Sequence, residues 1–119
     1  MKKVYHLKTC NTCERIIKAL DLPDDFVFQE IKSEEITVKQ LDQLKGLAGT
    51  YEALFSKRAK LYKEMGLKDQ NLSEADFKHY ILDHYTFLKR PVIVVNNTIF
   101  IGNSAKTVEA AKAFIHSDE

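Results

Sequence analysis

Leu7-Lys8-Thr9-Cys10-Asn11-Thr12-Cys13-Glu14-Arg15-Ile16 is the stretch whose reading decides the fold. The chain's two cysteines both stand in it, three residues apart. In front of it the short apolar run Val4-Tyr5-His6-Leu7 reads as a strand. Behind it Ile16, Ile17, Ala19 and Leu20 fall on one face of a helix. The cysteine pair therefore stands where a strand ends and a helix begins. Asn11 suits an N-cap, and Glu14 three residues later can reach back to the cap amide. Cys10 then lies just outside the helix, facing unpaired main-chain N–H groups and the positive end of the helix dipole. Both favour an anion: the Cys10 thiolate, an oxyanion, or each in turn. A thiol so placed is a better nucleophile at neutral pH. Lys8 reinforces the effect and Glu14 opposes it. Cys13, one turn into the helix, is close enough to resolve a disulfide on Cys10.

Composition narrows the class. A chain of 119 residues with 45% hydrophobic and 29% charged residues suits one globular domain. Its net charge of +1 gives no basic signature, so no direct nucleic-acid partner is expected. No apolar run approaches the roughly 20 residues that span a bilayer, so no membrane partner is expected either. Met1-Lys2-Lys3-Val4-Tyr5-His6 lacks the apolar segment of a signal peptide. The expectation is a cytoplasmic protein, where a CxxC pair is redox-active or metal-binding rather than a structural staple. One CxxC supplies two zinc ligands and no second Cys/His cluster accompanies His6, so no metal site is expected.

The rest of the chain supplies the framework. Lys2 to Leu7 reads as strand one and Cys13 to about Leu20 as helix one. A Pro/Asp turn at 21–25 follows, and then strand two over Phe26–Ile31. This is the size of a βαβ unit with parallel strands. From about Ser33 to Leu88 no strand is evident. Val38, Leu41, Leu44 and Ala48 keep helical spacing. A second helical run holds Tyr51, Leu54, Phe55, Ala59, Tyr62 and Met65, and a third opens at Ser73 with Asp76 as capping partner and carries Phe77, Tyr80, Ile81, His84 and Leu88. These predict an insertion of three or four helices at about 34–89, without a core of its own. Val92-Ile93-Val94-Val95 reads as a central strand covered on both faces. Asn96-Asn97 marks a tight hairpin, Thr98–Ile101 pairs back, and Ser104 caps a helix from Ala105 to about Ile115. Val108, Ala111, Phe114 and Ile115 form its buried stripe.

The predicted fold class is α/β and thioredoxin-like: β-α-β, then β-β-α, a four-stranded mixed sheet with the helical insertion inside a single domain. With Thr9-Cys10-Asn11-Thr12-Cys13, Tyr62-Lys63-Glu64-Met65-Gly66-Leu67, Leu88-Lys89-Arg90-Pro91-Val92-Ile93-Val94 and Ile101-Gly102 in this order, the chain resembles the arsenate reductase family of the glutaredoxin type, including its Spx-like regulators. The resemblance implies that Cys10 is the nucleophile, that Arg90 helps hold the oxyanion, and that Pro91 is a cis-proline. It marks Arg58 as a second substrate-binding cation, since Spx-like members carry an Arg there. A guanidinium suits a tetrahedral oxyanion because its N–H fork is rigid and permanently charged. Asn11 joins the binding set through its place at the helix start. Two departures are visible: Gly102-Asn103 stands where such reductases place a third Arg, and Cys13 is a residue they commonly lack.

Two functions follow from the resemblance. One is a thiol-dependent oxidoreductase acting on a small oxyanion or a mixed disulfide. It needs no bound cofactor and is recharged by an external thiol donor, either glutathione with glutaredoxin or thioredoxin. The other is an Spx-like redox-sensing regulator that contacts RNA polymerase.

Overall fold

A computed structural model describes residues 1–117 of the chain. It forms two compact units, one of residues 1–34 together with the stretch from Arg90 onward, the other Glu35–Lys89.

The first unit is built on a four-stranded mixed sheet. Strand β1, Lys2–His6, pairs in parallel with β2, Val27–Glu30, with Lys3 opposite Val27 and His6 opposite Glu30. On its other side β1 pairs antiparallel with β3, Val92–Val95, with Tyr5 opposite Val92. Strand β4, Thr98–Ile101, returns antiparallel along β3, so the order is β2-β1-β3-β4. All four residues of β3 are buried, as its unbroken apolar run predicts for an inner strand. Asn96, at φ 56°, supplies the left-handed turn residue of the β3–β4 hairpin, a conformation Asn tolerates better than most residues. At the edge, β2 leaves Val27 and Phe28 exposed, so Phe28 is not the core residue its aromatic character suggests.

Helix α1, Asn11–Leu20, and the last helix, Ala105–Ile115, close the core of this unit. Ile16 and Leu20 meet Val4, Ile93 and Val95 of the sheet, with Phe26 and Ala111 beside them. Leu20 is fully buried, and such a side chain contributes about 1.5–3 kcal/mol. Asp21 ends α1 in the left-handed conformation, and His116 Nε2 lies 2.8 Å from the Leu20 carbonyl oxygen. Ser104 caps the last helix by accepting from Thr107 N–H at 3.1 Å. Its apolar stripe is narrower than expected. Ala111 is buried and Val108 and Ile115 pack on the core, but Phe114 is 44% exposed, its ring tilted against Phe100.

The second unit holds helices α2, Val38–Ala48, α3, Lys60–Glu64, and α4, Glu74–Asp83. The helix from Ala105 to Ile115 is therefore α5. Thr37 with Gln40, and Ser73 with Asp76, form reciprocal capping boxes at the starts of α2 and α4. The predicted helical run from Tyr51 to Met65 is broken. A 3₁₀ turn at Glu52–Leu54 gives way to extended backbone at Phe55, which bridges to Leu88. Ser56 N–H then donates to Phe87 C=O at 2.7 Å and Lys89 N–H to Leu54 C=O at 2.8 Å. These long-range bonds take up groups that a continuing helix would use. The unit also has a core of its own, contrary to expectation. Phe55 stacks on Phe87 with ring centroids 5.2 Å apart and tilts against Phe77 at 4.9 Å. Leu41, Leu44, Leu54, Leu67 and Ile81 are all buried.

Candidate active site

Main-chain geometry sets the place of Cys10. Cys10 N–H donates to Leu7 C=O at 3.0 Å, closing a tight turn straight after β1, and Cys10 C=O accepts Glu14 N–H at 3.1 Å as the first bond of α1. Cys10 is thus the N-cap itself, with φ −93° and ψ 102°, and its side chain makes no capping hydrogen bond. The predicted cap at Asn11 is corrected by one position: Asn11 is the first helical residue and is exposed. The predicted box partner Glu14 is engaged elsewhere. Its Oε1 lies 3.0 Å from Nδ1 of His6, a nearly buried histidine that meets Phe28 edge-on at 5.7 Å. The pair joins the last residue of β1 to the first turn of α1, across the Cys10 turn.

The two thiols are free and differ in access: Cys10 is partly exposed and Cys13 is buried. Burial pushes the Cys13 thiol up to about 11. A main-chain hydrogen bond with Leu7 and the Arg90 guanidinium pull it down, while Cys10 and Glu14 push it further up. Cys10, Glu14 and Arg90 therefore all act electrostatically on Cys13. Residues three apart on a helix hold their Cβ atoms about 5–6 Å apart. A disulfide needs about 3.5–4.5 Å, so closing the pair asks for only a small adjustment of the first turn.

Register brings Arg90 and Pro91 to the same end of the sheet. Tyr5 opposes Val92 as the last β1–β3 pair, so Arg90 and Pro91, which run into Val92, stand at the end of the sheet where β1 leads on to Cys10. The Arg90–Pro91 peptide bond is cis, Pro91 is buried, and its carbonyl accepts Gly102 N–H at 2.9 Å. Arg58 lies in the other unit, exposed in the turn before α3. Of the six residues singled out in the sequence, Cys10, Asn11, Cys13, Arg90 and Pro91 share the first unit, and the first three share the start of α1.

Sequence reasoning missed two members of this neighbourhood, His6 paired with Glu14, and Glu30. The Glu30 carboxylate accepts from the main-chain N–H groups of Lys8, Lys32 and Ser33 and from Ser33 Oγ. Desolvation raises it, but these four bonds outweigh that and hold it at about 2. Nothing in the local sequence announces either partnership. Only the strand pairing that sets His6 opposite Glu30 brings them to the Cys10 turn. Among the described residues no group of three or more His, Cys, Asp and Glu side chains could hold a metal ion, and no helix is long and apolar enough to cross a membrane.

A β-α-β then β-β-α sheet with a Cys pair at the mouth of its first helix defines a protein of the thioredoxin-like fold. The chain belongs to the ArsC family, whose model matches residues 5–111. It is 26% identical to an uncharacterised Escherichia coli protein, YfgD, over 89% of this chain and 92% of that one. It is 27% identical to an arsenate reductase of Neisseria meningitidis over 91% of this chain and 95% of that one. Among solved structures, a putative ArsC-family-related protein from Bacteroides fragilis superposes with a TM-score of 0.77 at 20% identity, covering 92% of this chain and 97% of that one. The resemblance to arsenate reductases drawn from the Cys and Arg-Pro motifs is borne out, as is the fold.

Proposed function

We propose that this ArsC-family chain is a thiol-dependent oxidoreductase that acts on an oxyanion of the arsenate class or on a mixed disulfide. The observation that carries the reading is Cys10 at the N-cap of α1, partly exposed and without a capping bond, with the buried Cys13 one turn on. Main-chain N–H groups at a helix start stabilise an anion, whether that is the thiolate or an oxygen of the substrate.

With arsenate, Cys10 sulfur displaces an oxygen as water and forms a sulfur–arsenic bond. A second thiolate, from Cys13 or the donor, attacks Cys10 sulfur. The sulfur–arsenic bond breaks, two electrons stay on arsenic, and arsenite leaves. With a mixed disulfide, Cys10 displaces one thiolate and Cys13 then displaces the other. Either route through Cys13 ends in a Cys10–Cys13 disulfide, which glutathione with glutaredoxin, or thioredoxin, reduces. Arg90 steadies the negative charge, and Asn11 adds a polar group beside Cys10. Arg58 enters as a second cation on the family resemblance.

The test is a panel of arsenate and mixed-disulfide substrates against glutathione, glutaredoxin and thioredoxin as donors. Turnover with at least one pair, abolished by Cys10→Ser, supports the reading. No turnover with any pair overturns it, as does binding to RNA polymerase that depends on the redox state of the pair in a chain without turnover, which is the mark of a regulator.

A further inference from the structure

Glu30 closes β2, and its two carboxylate oxygens serve different turns. Oε2 accepts Lys8 N–H at 2.9 Å. Oε1 accepts Ser33 N–H at 2.8 Å, Ser33 Oγ at 2.9 Å and Lys32 N–H at 3.1 Å. Lys8 lies inside the turn that Cys10 N–H closes onto Leu7 C=O. One oxygen is thus committed to the turn that carries Cys10, and the other to the turn that follows β2. The strand beneath is fixed as well, since Ile31 N–H donates to His6 C=O at 2.9 Å. Bonds from N–H groups to a carboxylate are shorter and stronger than those to a neutral acceptor.

We propose that Glu30 is a positioning residue for Cys10: by holding Lys8 N–H it sets the turn that delivers Cys10 sulfur to the mouth of α1. This rests on Cys10 being the nucleophile, as proposed above. A carboxamide cannot replace the carboxylate, because its NH₂ would face N–H donors at one end or the other. An aspartate, one methylene shorter, is expected to reach the neighbouring Lys32 and Ser33 N–H groups and to fall short of Lys8 N–H across the strands.

The test compares the full-length wild type with Glu30→Asp and Glu30→Gln, and with Asp25→Asn, which alters a carboxylate paired with Lys2 away from the Cys10 turn, as a control. Three things are read: hydrogen exchange at the Lys8 amide, iodoacetamide alkylation of Cys10, and kcat and KM for the best substrate of the panel. Displacing a reacting atom by about 1 Å costs up to about a hundredfold in rate, so a partly loosened turn is expected to lower kcat and the Cys10 alkylation rate by about tenfold in both Glu30 variants. KM for that substrate stays within about twofold. Lys8 exchange quickens while Val94 exchange does not, and Asp25→Asn matches wild type. Quickened Lys8 exchange with wild-type alkylation and kcat overturns the proposal, and so does unchanged Lys8 exchange. Alkylation needs no substrate, so a chain without turnover removes the functional reading while the alkylation comparison still decides the role of Glu30.

Discussion

At the residue scale the two cysteines are held in opposite states of readiness. Cys10 caps a helix and meets solvent; Cys13 has no exposed surface, and burial pushes its thiol up to about 11. In the native protein at pH 7, Cys10 is expected to take up an alkylating label at least about tenfold faster than Cys13, an order set by the raised Cys13 thiol and by access. Mass spectrometry of the labelled peptides checks this; equal labelling contradicts it. The Arg90 guanidinium acts on Cys13, pulling its thiol down. Losing a hydrogen bond to a charged partner costs about 1.5–3 kcal/mol, so Arg90→Ala should raise KM for an oxyanion by about tenfold or more. Steady-state kinetics measure that shift, and an unchanged KM removes Arg90 from the binding set. Glu30 carries a pH signature. Its carboxyl sits at about 2 against an ordinary 4.5. A depressed acid adds stability that is fully present above its ordinary value and is lost as pH falls through the folded one. Wild type and Glu30→Gln should therefore differ in unfolding free energy at pH 7 and converge as pH drops from 4.5 toward 2, as read by urea denaturation at several pH values.

At the element scale, what was legible in the sequence depended on whether the signal was local. Val92–Val95, Thr98–Ile101 and Ala105–Ile115 are found where they were expected, because an unbroken β-branched run, a two-residue Asn turn and a Ser cap are all written within a few residues. The N-cap of α1 lies one residue before Asn11, the better cap by type, because the turn from Cys10 to Leu7 decides the matter. The run from Tyr51 to Met65 looked helical because its apolar spacing is helical. Bonds to Phe87 and Lys89, more than thirty residues along, break it. The same distance hid the aromatic core of the second unit. Phe87, with no exposed surface and stacked on Phe55, should cost about 3–5 kcal/mol when replaced by Ala. Thermal or urea unfolding monitored by circular dichroism checks this, and a loss under about 1 kcal/mol contradicts the core described here.

At the scale of the whole molecule, the fold gathers the candidate site from remote parts of the sequence. The parallel pairing of β1 with β2 brings Glu30 to Lys8, and the antiparallel pairing with β3 brings Arg90 and Pro91 to the end of the sheet where β1 leads on to Cys10. The proposed nucleophile and its proposed partner stand within ten consecutive residues. The groups that hold them in place could not, because they arrive through strand register. The sheet thus fixes a turn, the turn fixes a thiol at a helix mouth, and a second thiol waits one helical turn away. The most direct test of that chain of causes is trapping. Cys13→Ser is incubated with a disulfide substrate, and the adduct is located by mass spectrometry. The account predicts a stable mixed disulfide on Cys10 in the variant, and in wild type its rapid loss to a Cys10–Cys13 disulfide. No adduct on Cys10, or an adduct that persists equally in both proteins, contradicts it.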